Sequence, residues 1–259
     1  MRAMGWFGRI KSTGGNAASG DAPGGDALSP ADREALRETA RQRIRSGFVE
    51  RDGLAEALTE YHDDIELPAA VMLAAAQEAV DAEWAARLAE QAGWTEPGDY
   101  QRVAAAFDEL AGQGIIGRMN FTCCQTCGHA EIGDERTPRS AEEAGASEGY
   151  PFREWGYTFF HEQDAERLAD EPADLFLAYG TFCPAPGVDP DLVAMGCEDE
   201  GEEQDEVARQ SALIVGRLIV AALRRQGLAV DWPEDVSHRI CVTDLRWRMP
   251  LPDAVPRAG

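Results

Sequence analysis

Apolar side chains recur at helical spacing through the first part of the chain and change to extended runs from Ile115 onward. Ser29, Pro30 and Asp32 form a helix-start signal, a capping hydroxyl followed by proline at the first helical position. Leu36, Ala40 and Ile44 then repeat every four residues, one buried stripe of a helix that ends near Gly47. Asp52 is placed to cap a second helix through Leu54, Leu58 and Tyr61. A third opens at Pro68, puts Leu73, Val80, Trp84 and Leu88 on one face, and stops at Gly93. A fourth runs from Asp99 to Leu110 with Val103, Phe107 and Leu110 inward.

The extended part begins with a strand predicted from Ile115 to Cys123, which enters a cysteine turn and a short helix toward Ile132. Residues 134–150 read as a polar loop, and Trp155 to His161 as a second, aromatic strand. Asp164 and Glu166 suit a helix N-terminus, and Leu175 to Tyr179 is a third strand. Residues 183–206 read as a long loop, with Pro184, Pro186 and Pro190 and a run of seven acids in the nine positions from Glu198 to Glu206. Val207 to Gln226 is the most apolar helix, and its apolar face must be buried. Leu228 to Trp232 and Arg239 to Trp247 are predicted to form an antiparallel pair.

These elements predict an α+β fold: a helical N-terminal subdomain followed by a small mixed β-sheet covered by helices. The expected division is a disordered tail over 1–28, a helical subdomain over 29–114, an α/β cysteine-motif domain over 115–249 and a loose tail over 250–259.

Composition narrows the function classes. Hydrophobic residues make up 44% of the 259, as in soluble globular proteins. No apolar run approaches the roughly 18 residues of a membrane span. The N-terminus has no apolar signal core, so the six cysteines are expected as reduced thiols in the cytoplasm. The net charge of −23 repels phosphate backbones, so no nucleic acid is expected as a partner. That charge serves solubility or attraction to a basic partner protein. The passage from Phe107 to Arg118 has the outline of a helix leading into a wing, but Arg102 is the lone cation on a helix carrying Asp99, Asp108 and Glu109. A helix, a glycine stop and an edge strand is the simpler account.

The chemistry-bearing stretch is Asn120 to His129, with three of the six cysteines and one of the four histidines. Cys124-x-x-Cys127-Gly128 has the spacing of half a zinc site, in which two thiolates reach one ion. Completion needs two further ligands, from His129, His161 or Cys183. Strands joined by helical crossovers tend to be parallel, which would bring the strand ends carrying Cys123, His161, Glu162, Asp164, Thr181 and Cys183 to one edge. Two other chemistries fit the same residues. One is a thiol couple with Cys124 at a helix N-terminus and Cys127 resolving. The other is nucleophilic attack by Cys123 or Cys124, assisted by His161 with Glu162 or Asp164. Against all three stands plain packing: free cysteine is among the most buried residue types, His161 suits a strand end and Asp164 a helix cap.

The chain resembles a bacterial family catalogued as domain of unknown function 6891. The resemblance rests on Gly114 to Arg118, on Asn120 to Ile132, on Gly156 to Asp164, on Tyr179-Gly180 and on the closing strands around Trp232 and Arg239-Ile240. The cysteine motif is its distinctive part. It implies no activity, so the function expected from the residues is a candidate Cys/His site, with zinc in a structural or regulatory role. The competing reading is a non-catalytic acidic protein, of an inhibitor or immunity type, that binds a basic partner.

Overall fold

In a computed structural model, which describes residues 28–140, 150–198 and 201–252, the chain folds as expected into an α+β architecture. Residues 1–27 of the expected 1–28 tail, most of the polar loop, residues 199–200 of the acidic run and residues 253–259 lie outside the described residues. Helix α1 (Pro30–Ser46) starts where Ser29 Oγ accepts the backbone N–H of Asp32 at 3.1 Å, and ends at Gly47 with φ 82°. Leu36, Ala40 and Ile44 form its buried stripe. Helix α2 (Leu54–Tyr61) is preceded by Gly53 rather than capped by Asp52.

Helix α3 (Ala69–Ala92) buries Val80 and Trp84 as expected, but its inward face is turned away from Leu73 and Leu88. Met72, Ala76, Val80 and Trp84 are buried, while Leu73 and Leu88 are among the exposed apolar residues. These three helices share one apolar cluster, which also takes in Leu251.

Helix α4 (Asp99–Ala111) belongs with the sheet. Its Val103, Phe107 and Leu110 join the larger apolar cluster. Among the described residues the sheet has five strands: β1 (Ile115–Arg118), β2 (Gly156–Phe159), β3 (Ala173–Thr181), β4 (Ala229–Asp231) and β5 (Ile240–Leu245). Their order is β1-β2-β3-β5-β4. β1 and β2 are parallel; every other pairing is antiparallel, including the expected β4–β5 pair.

This topology corrects the expectation of a shared strand edge. Gly156 at the start of β2 pairs with Thr181 at the end of β3. Thr181 and Cys183 therefore sit at the end of the sheet opposite Phe159 and His161. The connection from β2 holds only a four-residue helix α6 (Glu162–Ala165) and a four-residue 3₁₀ turn (Glu166–Ala169). Those elements are too short to carry the chain back along the sheet as a parallel crossover requires.

The stretch expected as a long loop holds a helix, α7 (Pro190–Glu198). Pro190 is its first residue, a position where the missing N–H costs nothing, and Asp189 Oδ1 accepts the N–H of Asp191 at 2.9 Å. Helix α8 (Glu202–Arg225) starts five residues before Val207, with Glu202, Glu203 and Asp205 in its first turn.

Alternation along the strands decides which face meets which helix. A side chain at Gly156 would touch Val215 of α8, and one at Gly117 would strike the Phe107 ring of α4. α4 and α8 therefore cover one face. Tyr157 and Phe159 point the other way.

Candidate functional site

The short helix α5 (Gln125–Glu131), after the cysteine turn, lies on that second face. A Cβ on Gly128 would come within 2.3 Å of the buried Phe159 ring, so only glycine lets α5 sit this close to β2. Helix and strand are keyed together at that point.

β1 stops at Arg118, earlier than the apolar pattern suggests, because the backbone leaves extended geometry. Asn120 and Thr122 have φ of 51° and 59°, a region that non-glycine residues seldom enter and β-branched ones least of all. The turn is pinned to the end of β2 by three backbone bonds. Phe160 N–H donates to Arg118 O at 3.2 Å, Phe121 N–H to Phe160 O at 2.9 Å, and Glu162 N–H to Thr122 O at 3.1 Å. The Thr122 hydroxyl donates to Cys124 O at 3.2 Å. Held this way, the turn brings its cysteines together.

The Sγ atoms of Cys123, Cys124 and Cys127 all lie within 4.8 Å of one another. Cys123 Sγ is 3.5 Å from Cys127 Sγ, and all three residues are half-buried. With metal–sulfur bonds of about 2.3 Å, a tetrahedral site has sulfur–sulfur edges of about 3.8 Å, so the spacing admits one ion with small adjustments.

The three thiols are not equivalent. Backbone N–H groups of Cys127 and Thr126, with the neighbouring thiols, hold Cys124 below the usual thiol range. Cys127 is pushed up to about 12 by hydrogen bonding with Cys123 and Cys124 and by burial. Three thiolates at this spacing repel one another, and a bound cation removes that penalty.

His129 has its own partners. Its Nδ1 is 3.0 Å from Tyr157 Oη, and its ring stands edge-on to Phe159 with centroids 5.2 Å apart. Burial lowers the His129 pKa and raises that of Tyr157.

His161 caps α6 and is buried. Its Nε2 is 2.9 Å from Asp164 Oδ2, and its Nδ1 accepts the backbone N–H of Asp164 at 3.3 Å. Asp164, also buried, accepts from Arg239 Nη1 at 2.8 Å. Glu162, on the open side of α6, is raised by crowding from the surrounding protein, with Arg43 the main opposing charge. Cys183 is raised by burial, against the pull of Arg139 and Arg136 at the far end of the sheet. Cys241, half-buried in β5, is also raised by burial.

Among the described residues, no further cysteine, histidine or carboxylate joins the three thiols at this spacing. The structure thus brings Cys123 to the C-x-x-C pair, where spacing alone offered distant ligands. Arg239 as the partner of Asp164 had no sequence signal, being 75 positions away.

The model of a family described as Domain of unknown function (DUF6891) matches residues 29–251. No curated protein and no solved structure matches the chain.

Proposed function

The chain belongs to the DUF6891 family, and we propose that in this member Cys123, Cys124 and Cys127 hold one thiophilic metal ion such as Zn(II) or Cu(I). The reading is carried by one observation, three Sγ atoms within 4.8 Å of one another on a single turn. All-sulfur donor sets select soft and borderline ions such as Zn(II) and Cu(I) over the hard oxygen-seeking cations. The ion's role is structural or regulatory. It would lock a turn whose backbone is costly at Asn120 and Thr122, and through Thr122 and Glu162 that turn is tied to the end of β2. The expected setting is the reducing cytoplasm, where the thiols stay available. The test is elemental analysis of protein purified without chelators. Stoichiometric metal that disappears in Cys127→Ser supports the site, and metal-free protein that takes up none of zinc, cobalt or Cu(I) refutes it.

The charge supports a second reading, a non-catalytic acidic protein that docks on a basic one. Glu202, Glu203 and Asp205 are exposed on the first turn of α8, in a chain of net charge −23. Such a complex would weaken as salt rises, and a pull-down whose yield ignores ionic strength would count against it.

A further inference from the structure

We infer that the described residues supply three metal donors and no fourth, so that the site is built for an ion satisfied by three thiolates, Cu(I), and holds Zn(II) only with a donor from outside this set. This rests on the proposed metal site and specifies its coordination.

His129 follows Cys127 by two positions on α5, and residues at that spacing lie about 200° apart around a helix. The pair cannot face one ion while α5 stays helical, and Gly128 between them is docked on Phe159. His129 is turned instead to Tyr157 at 3.0 Å. His161 has no nitrogen to give, since Nε2 and Nδ1 are both engaged by Asp164. Cys183 belongs to the opposite end of the sheet, beyond the Gly156–Thr181 pairing. Cys241 lies on β5, two strands away from β2 in the sheet order.

Three thiolates with no fourth donor among the described residues form a trigonal all-sulfur set. Cu(I) is soft, has a filled d shell and accepts three thiolates in a plane. Zn(II) is almost always four-coordinate in structural sites, so here it must recruit water or a small thiol. A position left to an outside donor also gives a route for ligand exchange, so the bound ion is exchangeable rather than sealed.

The experiment loads the full chain anaerobically with Cu(I) or with Zn(II) and determines donor number and type by X-ray absorption, alongside metal content. The expected result is one Cu(I) per chain with three sulfur neighbours. It is unchanged in His129→Ala, His161→Ala, Cys183→Ser and Cys241→Ser, and lost in Cys127→Ser. Zinc is expected with three sulfurs and one light atom, and to bind more tightly when glutathione is added. Zinc held by four protein donors, or metal lost in any of the first four variants while circular dichroism shows them folded, overturns this inference and leaves the metal site standing. Uptake of neither ion overturns both.

Discussion

His161 gives both ring nitrogens to a single residue, Asp164: Nε2 meets the carboxylate at 2.9 Å and Nδ1 accepts the backbone N–H at 3.3 Å. With Nδ1 accepting, the ring proton belongs on Nε2, so a neutral imidazole satisfies both bonds. The same carboxylate takes Arg239 Nη1 at 2.8 Å, which ties the start of β5 to the end of β2. The arrangement is a polar joint inside the fold, and its members are three residues and 75 residues apart.

Removing the joint should cost stability and leave metal content alone. Asp164→Ala strands Arg239 and the imidazole and is expected to destabilise the fold by about 3 kcal/mol. His161→Ala removes a capping acceptor and a charge-assisted bond, for about 1.5–3 kcal/mol. Urea unfolding measures both. Metal lost from a folded His161→Ala protein would show that the histidine serves the thiols after all.

Gly128→Ala should loosen the site without touching a thiol. The added methyl meets the Phe159 ring at 2.3 Å, and Phe159 is fully buried, so α5 rather than the strand must move. Overpacking of this kind costs about 1–3 kcal/mol. The displacement separates Cys127 from Cys123, so metal affinity should fall with stability. An alanine variant with unchanged affinity would mean that the turn alone, and not the docked helix, sets the sulfur spacing.

What could be read from the chain was what depends on local pattern. Leu36, Ala40 and Ile44 announced α1 because the helical period is written in adjacent turns, and Ser29 announced its start because capping is local chemistry. The cysteine turn was legible as a site for the same reason. Its membership was not. Cys123 joins Cys127 only because Asn120 and Thr122 take left-handed backbone angles, and nothing in a threonine's identity announces that. Strand direction was misread because short helical segments after His161 look like a crossover in sequence; their length in space is what makes β3 antiparallel. Leu73 and Leu88 fall outside the buried stripe because hydrophobicity alone does not fix where a helix's inward face is centred, and here Met72 and Ala76 accompany Val80 and Trp84.

A pH dependence follows from Glu166 in the 3₁₀ turn against α1. Desolvation raises its carboxyl above the ordinary 4.5, with Arg43 pulling the other way. The folded chain therefore binds this proton more tightly than the unfolded one, so the group's contribution makes stability fall as pH rises from 4.5 through the raised value. Above that window the penalty is fully present. Glu166→Gln is expected to raise Tm at pH 7 to 8, and the gain should vanish below about pH 4.5. An equal gain at pH 4 and pH 8 would place its origin in something other than the buried charge.

Residues 246–251 form a strap between the two apolar clusters. Arg246 exchanges bonds with the start of α4: its carbonyl accepts Asp99 N–H at 2.8 Å, and its own N–H donates to Asp99 Oδ2 at 2.7 Å. Trp247, fully buried in the sheet cluster, donates its indole N–H to Ser46 O at the end of α1 at 2.8 Å. Leu251 then enters the other cluster, fully buried among residues of α1, α2 and α3, with its N–H on Gln91 Oε1 at 2.8 Å. A chain that begins the strap in one core and ends it in the other couples their unfolding. Leu251→Ala should therefore cost about 2–5 kcal/mol, as emptied leucine sites do. It should shift a single cooperative transition seen both by far-UV circular dichroism and by tryptophan fluorescence, because Trp84 reports the helical cluster and Trp247 the sheet. Two separated transitions, with Trp247 fluorescence unmoved, would show that the helices and the sheet are independent units and that the strap merely rests on them.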